Sequence, residues 1–362
     1  MIYLDYQATT PLAPEARAAM LEWLGDAANP HAAHKAGRAA KAAVELARDQ
    51  VAALLPAGGQ VYFTSGATEA LNWAIASAAG QGAVAALATE HAAVLDTVGA
   101  LHGNDVVILP VLADGLINMD AARANIVPGV RLVCAMLVNN EIGVIQPIAV
   151  LAALAHSVGA RLLCDAVQGV GRVPIPEGCD YIAISAHKLH GPIGVGALWV
   201  VSGAPLEPLI RGGGQEGGVR SGTLSPALCA GFGVAAKLMR ERRNEDAAHV
   251  AALAARLQDA LGDGWIINGS TTHRYAGNLN IRHEGLDAAR LISDVRGVAL
   301  SAGSACASGS GRPSHVLRAL GLSDAQARSS IRLGFGRTTT LEDINQAAAL
   351  INAAANAQRI IA

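Results

Sequence analysis

The sequence predicts an α/β protein with a large domain, built on a mostly parallel seven-stranded sheet flanked by helices, and a smaller α+β C-terminal domain. Short apolar, β-branched runs alternate with alanine-rich helical stretches from about residue 15 to about residue 200, a pattern typical of a parallel sheet with helices on both sides. Several of these runs are apolar along their whole length, as expected of strands covered on both faces. After residue 266 the pattern changes to strands such as "GNLNIRH" and "SIRLGFG" with helices between them.

The elements of the large domain follow in a regular order. Residues 34–55 predict one long helix, ended by Pro56 and the glycine pair that follows. Helices are predicted between the strands, for example at Thr68–Ala79 and Ile148–Gly159. The seven candidate strands are Val61–Thr64, Val84–Thr89, Val106–Leu109, Leu132–Val138, Arg161–Asp165, Tyr181–Ser185 and Gly196–Val201.

A glycine-rich connection at residues 211–223 leads into a long predicted helix from about Ser225 to Leu261. We assign residues 14–245 to the large domain and residues 1–13 and 246–362 to the small domain.

The composition excludes several classes of protein. Basic and acidic residues are nearly balanced, 27 against 29, which argues against nucleic acid or an anionic membrane as the main partner. No apolar run reaches the length of about 18 residues that a membrane span needs. The N-terminus lacks the apolar region of a secretory signal, and the five cysteines are scattered without a CxxC pair. We therefore expect a protein of the reducing cytoplasm.

Polar residues follow the candidate strands at the points where the strands end. "TSGATE", "TEH", "NNE", "DAVQ" and "SAHK" each come directly after an apolar run. In open parallel sheets, ligands bind beyond the carboxyl ends of the strands. The sequence therefore predicts a ligand site at this edge.

Two of these segments suit a phosphorylated cofactor. The helix predicted to start near Thr68 follows a turn of small residues, Gly66 and Ala67, and such a helix start binds phosphate; alternatively, Thr68 merely caps the helix. Lys188 ends the run "YIAISAHK" at the edge of the sheet, where a partly desolvated lysine can form a Schiff base. The alternative is an exposed lysine with no role.

Other strand-end residues suit an amino-acid substrate held on pyridoxal 5'-phosphate (PLP). Asp165 ends an apolar strand and needs a partner, either the ring nitrogen of PLP or an internal arginine such as Arg172. His91 could stack on a flat ring and transfer protons, or be a helix N-terminal histidine without a role. Arg332 offers a bidentate seat for a carboxylate, or a structural salt bridge. The histidine pairs lack further ligands at metal spacing, so we predict no metal site.

These motifs match a known family. The chain resembles the cysteine desulfurases, class V aminotransferase-like PLP enzymes of fold type I. The resemblance runs from "YLDYQATTPLAP" to "SSIRLGFGRTT" and includes "FTSGATEALN", "VNNEIGVIQP", "DAVQGVG", "SAHKLHGPIGVGALWV", "GGGQEGGVRSGTLS" and "GSACASGSGRPSHVLRALG".

The resemblance implies a role for each matching residue. Lys188 would bind PLP covalently, with His91 stacked above the ring. Asp165 would pair with the ring nitrogen and Gln168 with the ring hydroxyl. Asn140 and Arg332 would bind the substrate carboxylate. The phosphate would be held by Ala67, Thr68, Ser185 and His187, with Thr223 contributed by the partner subunit of a homodimer.

The resemblance also makes Cys306 the nucleophile, in a mobile loop of glycine and serine at about residues 303–313. It implies that L-cysteine is converted to L-alanine while Cys306 takes the sulfur as a persulfide. An acceptor protein of iron–sulfur cluster assembly or tRNA thiolation would receive that sulfur, and Cys306 could ligate an iron–sulfur cluster transiently. A selenocysteine lyase and a class V aminotransferase acting on another amino acid are the alternatives within PLP chemistry. A nucleotide-binding protein and a sulfur-relay partner without turnover are the alternatives from other classes.

Overall fold

The computed structural model describes residues 1–25, 27–80, 82–303 and 313–361, with the backbone alone for residues 359–361. The Cys306 prediction, and with it most of the predicted loop at 303–313, lies outside the described residues. The strands are β1 (Ile2–Tyr3), β2 (Gly59–Thr64), β3 (Ala83–Leu87), β4 (Val106–Leu109), β5 (Val130–Met136), β6 (Arg161–Asp165), β7 (Tyr181–Ser185), β8 (Gly196–Val201), β9 (Trp265–Ile267), β10 (Asn278–His283), β11 (Val298–Ala299), β12 (Ser301–Ala302) and β13 (Ser330–Gly334). The helices are α1 (Pro14–Leu24), α2 (Lys35–Ala52), α3 (Ala67–Ala78), α4 (Ala92–His102), α5 (Met119–Asn125), α6 (Ile148–Ser157), α7 (Pro226–Glu241), α8 (Arg243–Leu261), α9 (Ala288–Asp294), α10 (His315–Ala319), α11 (Asp324–Arg328) and α12 (Leu341–Ile361).

The predicted seven-stranded sheet is confirmed, and its spatial order is β2-β8-β7-β6-β5-β3-β4. The neighbouring pairs are parallel except at β8, which runs antiparallel to both β2 and β7. Each predicted strand lies at its expected place, with ends shifted by two residues or fewer.

Burial on both faces explains why these strands are apolar throughout. Along β5, Leu132 and Cys134 pack with α3 and α4 on one face. Val133 and Ala135 point the other way and pack with α2, α6 and α7. Successive side chains of a strand alternate between faces, so a sheet between two helical layers needs apolar residues at every position.

The single long helix predicted from Ser225 to Leu261 is wrong, because two helices, α7 and α8, meet at Arg242. Phe232 of α7 lies in the core beside the large sheet. Leu253 and Leu257 of α8 lie in a separate core that also contains residues of α12. A straight helix could not bury both apolar faces in these two cores, and the polar run "RERRNED" lets the chain turn between them.

The second core lies beside a four-stranded antiparallel sheet ordered β12-β13-β10-β9. The N-terminus joins this part of the molecule, because β1 pairs in parallel with β11, and Ile2 and Leu4 lie in the second core. The domain boundaries given above remain predictions. Among the described residues, no helix has both the length and the apolar character needed to cross a bilayer.

Candidate active site

The predicted site residues lie along one edge of the seven-stranded sheet. Strands β2, β3, β5, β6 and β7 run in the same direction, so their carboxyl ends share that edge. Asp165 and Ser185 are the last residues of β6 and β7. His91 follows β3 and Asn140 follows β5.

The turn between β2 and α3 leaves the start of a helix accessible. The N-cap of α3 is Gly66, and no side chain caps the helix. The alternative that Thr68 caps the helix is therefore wrong, since Thr68 lies inside the first turn. Uncapped N–H groups at a helix start bind anions.

Glycine lets this turn approach the sheet closely. A Cβ placed at Gly196 of β8 would lie 2.7 Å from backbone atoms of Gly66 and from the carbonyl oxygen of Ile184. The Ser185 hydroxyl lies 3.9 Å from where a Cβ of Gly66 would be. Gly196 therefore allows the start of α3 to lie directly against β8 beside the end of β7.

Lys188 is held by the N-terminal segment. Its Nζ donates to the carbonyl oxygens of Gln7 and Ala8, at 2.8 Å to the latter. The side chain is half-buried, so the alternative of an exposed surface lysine does not hold. The ammonium group is thus fixed beside the carboxyl ends of the strands.

His187 lies next to Lys188 and faces the same N-terminal segment. Its Nδ1 is 3.2 Å from Thr9 Oγ1, and its carbonyl oxygen accepts a hydrogen bond from Thr10 Oγ1. Burial, and then the positive charge of Lys188, lower the pKa of His187 to about 4. The ring is therefore neutral near pH 7 and can still donate a hydrogen bond to an anion.

Asp165 is a buried carboxyl group with few partners. Oδ1 accepts a hydrogen bond from Val167 N at 3.0 Å. Burial raises the pKa of Asp165 above its usual range, and the Val167 bond and the charges of His91 and Lys188 partly offset that rise. Among the described residues, no arginine lies within ion-pair distance of Asp165.

The alternative that Arg172 neutralises Asp165 is wrong. Arg172 instead donates to Gln168 Oε1 at 2.8 Å and to the carbonyl oxygen of Lys188 at 2.6 Å. Its guanidinium also lies over the ring of Tyr275. Gln168 is oriented from both ends, because its Nε2 donates to Gln7 O at 2.9 Å. Arg172 therefore positions Gln168 and Lys188.

His91 is the N-cap residue of α4, as its structural alternative predicts. Its Nδ1 accepts a hydrogen bond from Ala93 N at 3.0 Å, so the ring proton of the neutral form is on Nε2. Its charge lowers the pKa of Asp165, which places the imidazole near that carboxyl group.

Glu90, next to His91 in the strand-end segment "TEH", is a buried carboxyl to which the sequence prediction assigned no role. Its Oε1 accepts a hydrogen bond from Met136 N at 2.7 Å, and Met136 pairs with Asp165 across β5 and β6. Burial and the Asp165 charge raise the pKa of Glu90 well above its usual range, which favours the neutral acid. Glu90 thus ties the segment that carries His91 to the strand next to Asp165.

Arg332 forms a salt bridge, which the sequence analysis gave as the alternative to a free carboxylate-binding arginine. Its Nη2 donates to Asp5 Oδ1 at 2.7 Å, and its Nη1 donates to the carbonyl oxygen of Asn140 at 3.0 Å. The Arg332 side chain is 1% exposed. The structure thus brings Arg332 and Asn140 together, with Asp5 as a third member that the sequence prediction missed.

Thr223 lies at the end of the glycine-rich connection and is exposed. Two ion pairs fix this connection to α2 and to α3. Arg48 bonds Glu216 at 2.7 Å, and Arg220 bonds Glu69 of α3 at 2.8 Å. No hydrogen bond within the described chain joins Thr223 to the other predicted phosphate ligands.

Four cysteines are buried free thiols: Cys134, Cys164, Cys179 and Cys229. Burial raises the pKa of Cys134 and raises that of Cys229 to about 12, so neither forms a thiolate readily.

The N-terminal segment "DYQATT" is the largest part of the site that sequence reasoning missed. Its residues contact Arg332, Gln168, Lys188 and His187. Its signals in the sequence are a run of polar residues directly after the apolar start "IYL" and its place in the motif "YLDYQATTPLAP", to which no site residue was assigned.

Comparison with known proteins gives consistent matches. The family model "Aminotransferase class-V" matches residues 2–347. The chain is 42% identical to a probable mitochondrial cysteine desulfurase of Schizosaccharomyces pombe, over 96% of this chain and 72% of that protein. It is 42% identical to cysteine desulfurase IscS of Mannheimia succiniciproducens, over 98% of this chain and 92% of that protein. A NifS-like protein of Rickettsia africae has a similar structure, with a TM-score of 0.91, 30% identity and coverage of 98% of this chain and 99% of the other.

These matches span nearly the whole chain, and the named relatives agree with one another. The chain therefore belongs to the aminotransferase class-V family and groups within it with the cysteine desulfurases.

Proposed function

We propose that this chain is a PLP-dependent cysteine desulfurase that converts L-cysteine to L-alanine and carries the sulfur away as a persulfide on Cys306. The single observation that supports it best is the buried Asp165 carboxyl at the same sheet edge as the half-buried Lys188. The names of the relatives support the same reaction.

The site fits PLP on structural grounds. A carboxyl group that is 6% exposed and accepts one backbone hydrogen bond from the described residues is stabilised by a cationic partner, and a protonated ring nitrogen is one. The uncapped start of α3 and the neutral His187 suit a phosphate. The residues that would hold the cofactor are Ala67, Thr68, His91, Asp165, Gln168, Ser185, His187 and Lys188.

PLP, when bound, supplies an electron sink that weakens the bonds at the Cα and Cβ atoms of an amino acid. Lys188 would be its covalent attachment point and would then move the Cα proton, because the carbonyl oxygens of Gln7 and Ala8 keep its Nζ at one place. Arg332 and Asn140 would orient the substrate carboxylate. His91 would carry a proton on Nε2.

The sulfur transfer balances without a further reactant. A bond forms between the substrate sulfur and Cys306 Sγ, and the bond between that sulfur and the substrate Cβ breaks. The Cβ atom gains a proton, so the products are L-alanine and the Cys306 persulfide. An acceptor protein of iron–sulfur cluster assembly or tRNA thiolation would then take the outer sulfur.

The same proposal includes a homodimer and a cytoplasmic location. Thr223 is exposed at the end of a connection that two ion pairs hold in place, which suits a residue that reaches into a partner subunit. The free state of the four described cysteines suits a reducing compartment.

Product analysis tests the proposed reaction. Holoenzyme incubated with L-cysteine and a thiol reductant should release L-alanine and sulfide in equal amounts, and no keto acid. Lys188→Ala should abolish both products. Lys237→Ala is the matched control and should leave them unchanged, because Lys237 is exposed on α7 and pairs weakly with Glu241.

Each alternative predicts a different product. A keto acid without sulfide would show a class V aminotransferase. Turnover of L-selenocysteine without turnover of L-cysteine would show a selenocysteine lyase. Either result would contradict the proposed function.

A further inference from the structure

Among the described residues, Asp5 is the acidic residue that pairs with the buried Arg332 guanidinium. The Asp5 side chain is 18% exposed, whereas the Arg332 side chain is 1% exposed. Their contact, Nη2 to Oδ1, is 2.7 Å. An almost fully buried cation is costly without a partner, so Asp5 compensates its charge while no ligand carboxylate is bound.

The backbone fixes Asp5 in this position. Gly334 N donates to Leu4 O at 2.7 Å and Tyr6 N donates to Gly334 O at 3.3 Å, which places Asp5 beside the end of β13. Ala8 N donates to Asp5 O at 2.9 Å, so Asp5 also begins the turn whose carbonyl oxygens hold Lys188. Asp5 therefore joins the predicted carboxylate seat to the lysine.

The guanidinium has donor capacity left for a ligand. Nη1 is taken by Asn140 O and one Nη2 bond by Asp5. Arg332 Nε is buried and has no hydrogen-bond partner among the described residues. A buried donor without a partner is unfavourable, and the Nε and Nη2 groups together form the side-on fork that binds a carboxylate with two hydrogen bonds.

We propose that Asp5 is a positioning residue that acts as the internal counter-ion of Arg332, setting the plane of its guanidinium and reducing its affinity for the substrate carboxylate. The inference rests on the proposed function, because it takes Arg332 as the carboxylate seat. A bound carboxylate would share Arg332 with Asp5, and the two like charges repel. The protein therefore gains stability in the ligand-free state and binds its substrate more weakly.

Asp5→Asn separates charge from geometry. Asparagine has the same shape and keeps an oxygen that can accept from Nη2, but the charge is gone. The variant should be less stable than wild type and should bind a carboxylate ligand more tightly. A merely structural ion pair predicts lower stability with equal or weaker binding.

The test is isothermal titration of the holoenzyme with L-alanine, which does not turn over, and with L-alaninamide, which lacks the carboxylate. For two negative charges that share one buried guanidinium, we expect Asp5→Asn to tighten L-alanine binding by about 3- to 10-fold and to leave L-alaninamide binding unchanged. Equal or weaker L-alanine binding would overturn the proposal, as would equal tightening of both ligands.

Two controls define the result. Asp246→Asn breaks a pair of similar burial, Asp246 with Arg337 at 2.6 Å, and should lower stability without changing L-alanine affinity. Arg332→Gln should abolish the preference for L-alanine over L-alaninamide.

If wild type itself shows no such preference, the carboxylate seat and the proposed function fail together, which is a different outcome from failure at Asp5. If Asp5→Asn does not fold, Asp5→Ser, which also removes the charge, is titrated in the same way.

Discussion

Gly196→Ala tests where the phosphate of the cofactor binds. The new Cβ would lie 2.7 Å from the Cα and C atoms of Gly66 and from Ile184 O, all of them backbone atoms. Backbone cannot rotate away as a flexible side chain can, so the turn before α3 must move off the sheet by several tenths of an ångström. Overpacking of this kind typically costs about 1–3 kcal/mol of unfolding free energy.

The same movement displaces the first-turn N–H groups of α3 from the proposed phosphate. Because misplacement of binding groups on this scale weakens their action steeply, we expect the dissociation constant of PLP to rise by about 10- to 100-fold. Equilibrium dialysis of the variant with PLP gives that constant, and urea unfolding gives the loss of stability.

Gly99→Ala is the matched control, because a Cβ at Gly99 in α4 meets no atom within 4 Å. This change should stabilise the protein by about 0.5–1 kcal/mol and leave PLP affinity unchanged. If Gly196→Ala lowers stability but binds PLP as tightly as wild type, the start of α3 does not hold the phosphate.

Three further changes test other parts of the account. Arg48→Met removes the cationic partner of the Glu216 carboxylate, whose side chain is 3% exposed. Urea unfolding should therefore show that the free energy of unfolding falls by about 3–5 kcal/mol. The double variant Arg48→Met with Glu216→Gln should recover a part of this loss, because it also removes the buried negative charge. Burial, and then the charge of Arg337, lower the pKa of His190 to about 4 in the folded protein. The unfolded chain takes up this proton from about pH 6.5 downward, whereas the native state does so only near pH 4. The free energy of unfolding should therefore fall by at most about 3 kcal/mol as the pH drops through this window. Urea titrations at several pH values should show that His190→Gln reduces this pH dependence. Glu90→Gln should unfold within about 1 kcal/mol of wild type at pH 7 if Glu90 is a neutral acid, whereas Glu90→Leu should lose about 1–3 kcal/mol because Met136 N loses its acceptor.

The strands of the large sheet could be predicted closely from the sequence because each is a short apolar run with a clear end. The same pattern predicted that polar residues gather at one edge of the sheet, because each polar segment follows the end of a strand and parallel strands end at the same edge. Two details could not be predicted. The break between α7 and α8 at Arg242 depends on which core each helix packs in. The partners of Asp165 and Arg172 depend on the tertiary fold, and Arg172 bonds Gln168 rather than Asp165.

The N-terminal segment shows most clearly which contacts could not be predicted from the sequence. Asp5 and Gln7 lie more than 150 residues from the side chains they contact, Arg332 and Gln168. Periodicity and spacing carry no information about such contacts. The long-range pairing of the segment with β13 creates them, and local pattern cannot reveal it.

The most direct test of the central claim is a peptide-mapped mass spectrum of the holoenzyme after brief exposure to L-cysteine. One added sulfur atom is expected on the peptide that contains Cys306, none on the peptides of the four buried cysteines, and none on any peptide of Lys188→Ala. A holoenzyme that binds PLP and turns over L-cysteine but adds no sulfur to Cys306 would contradict the central claim.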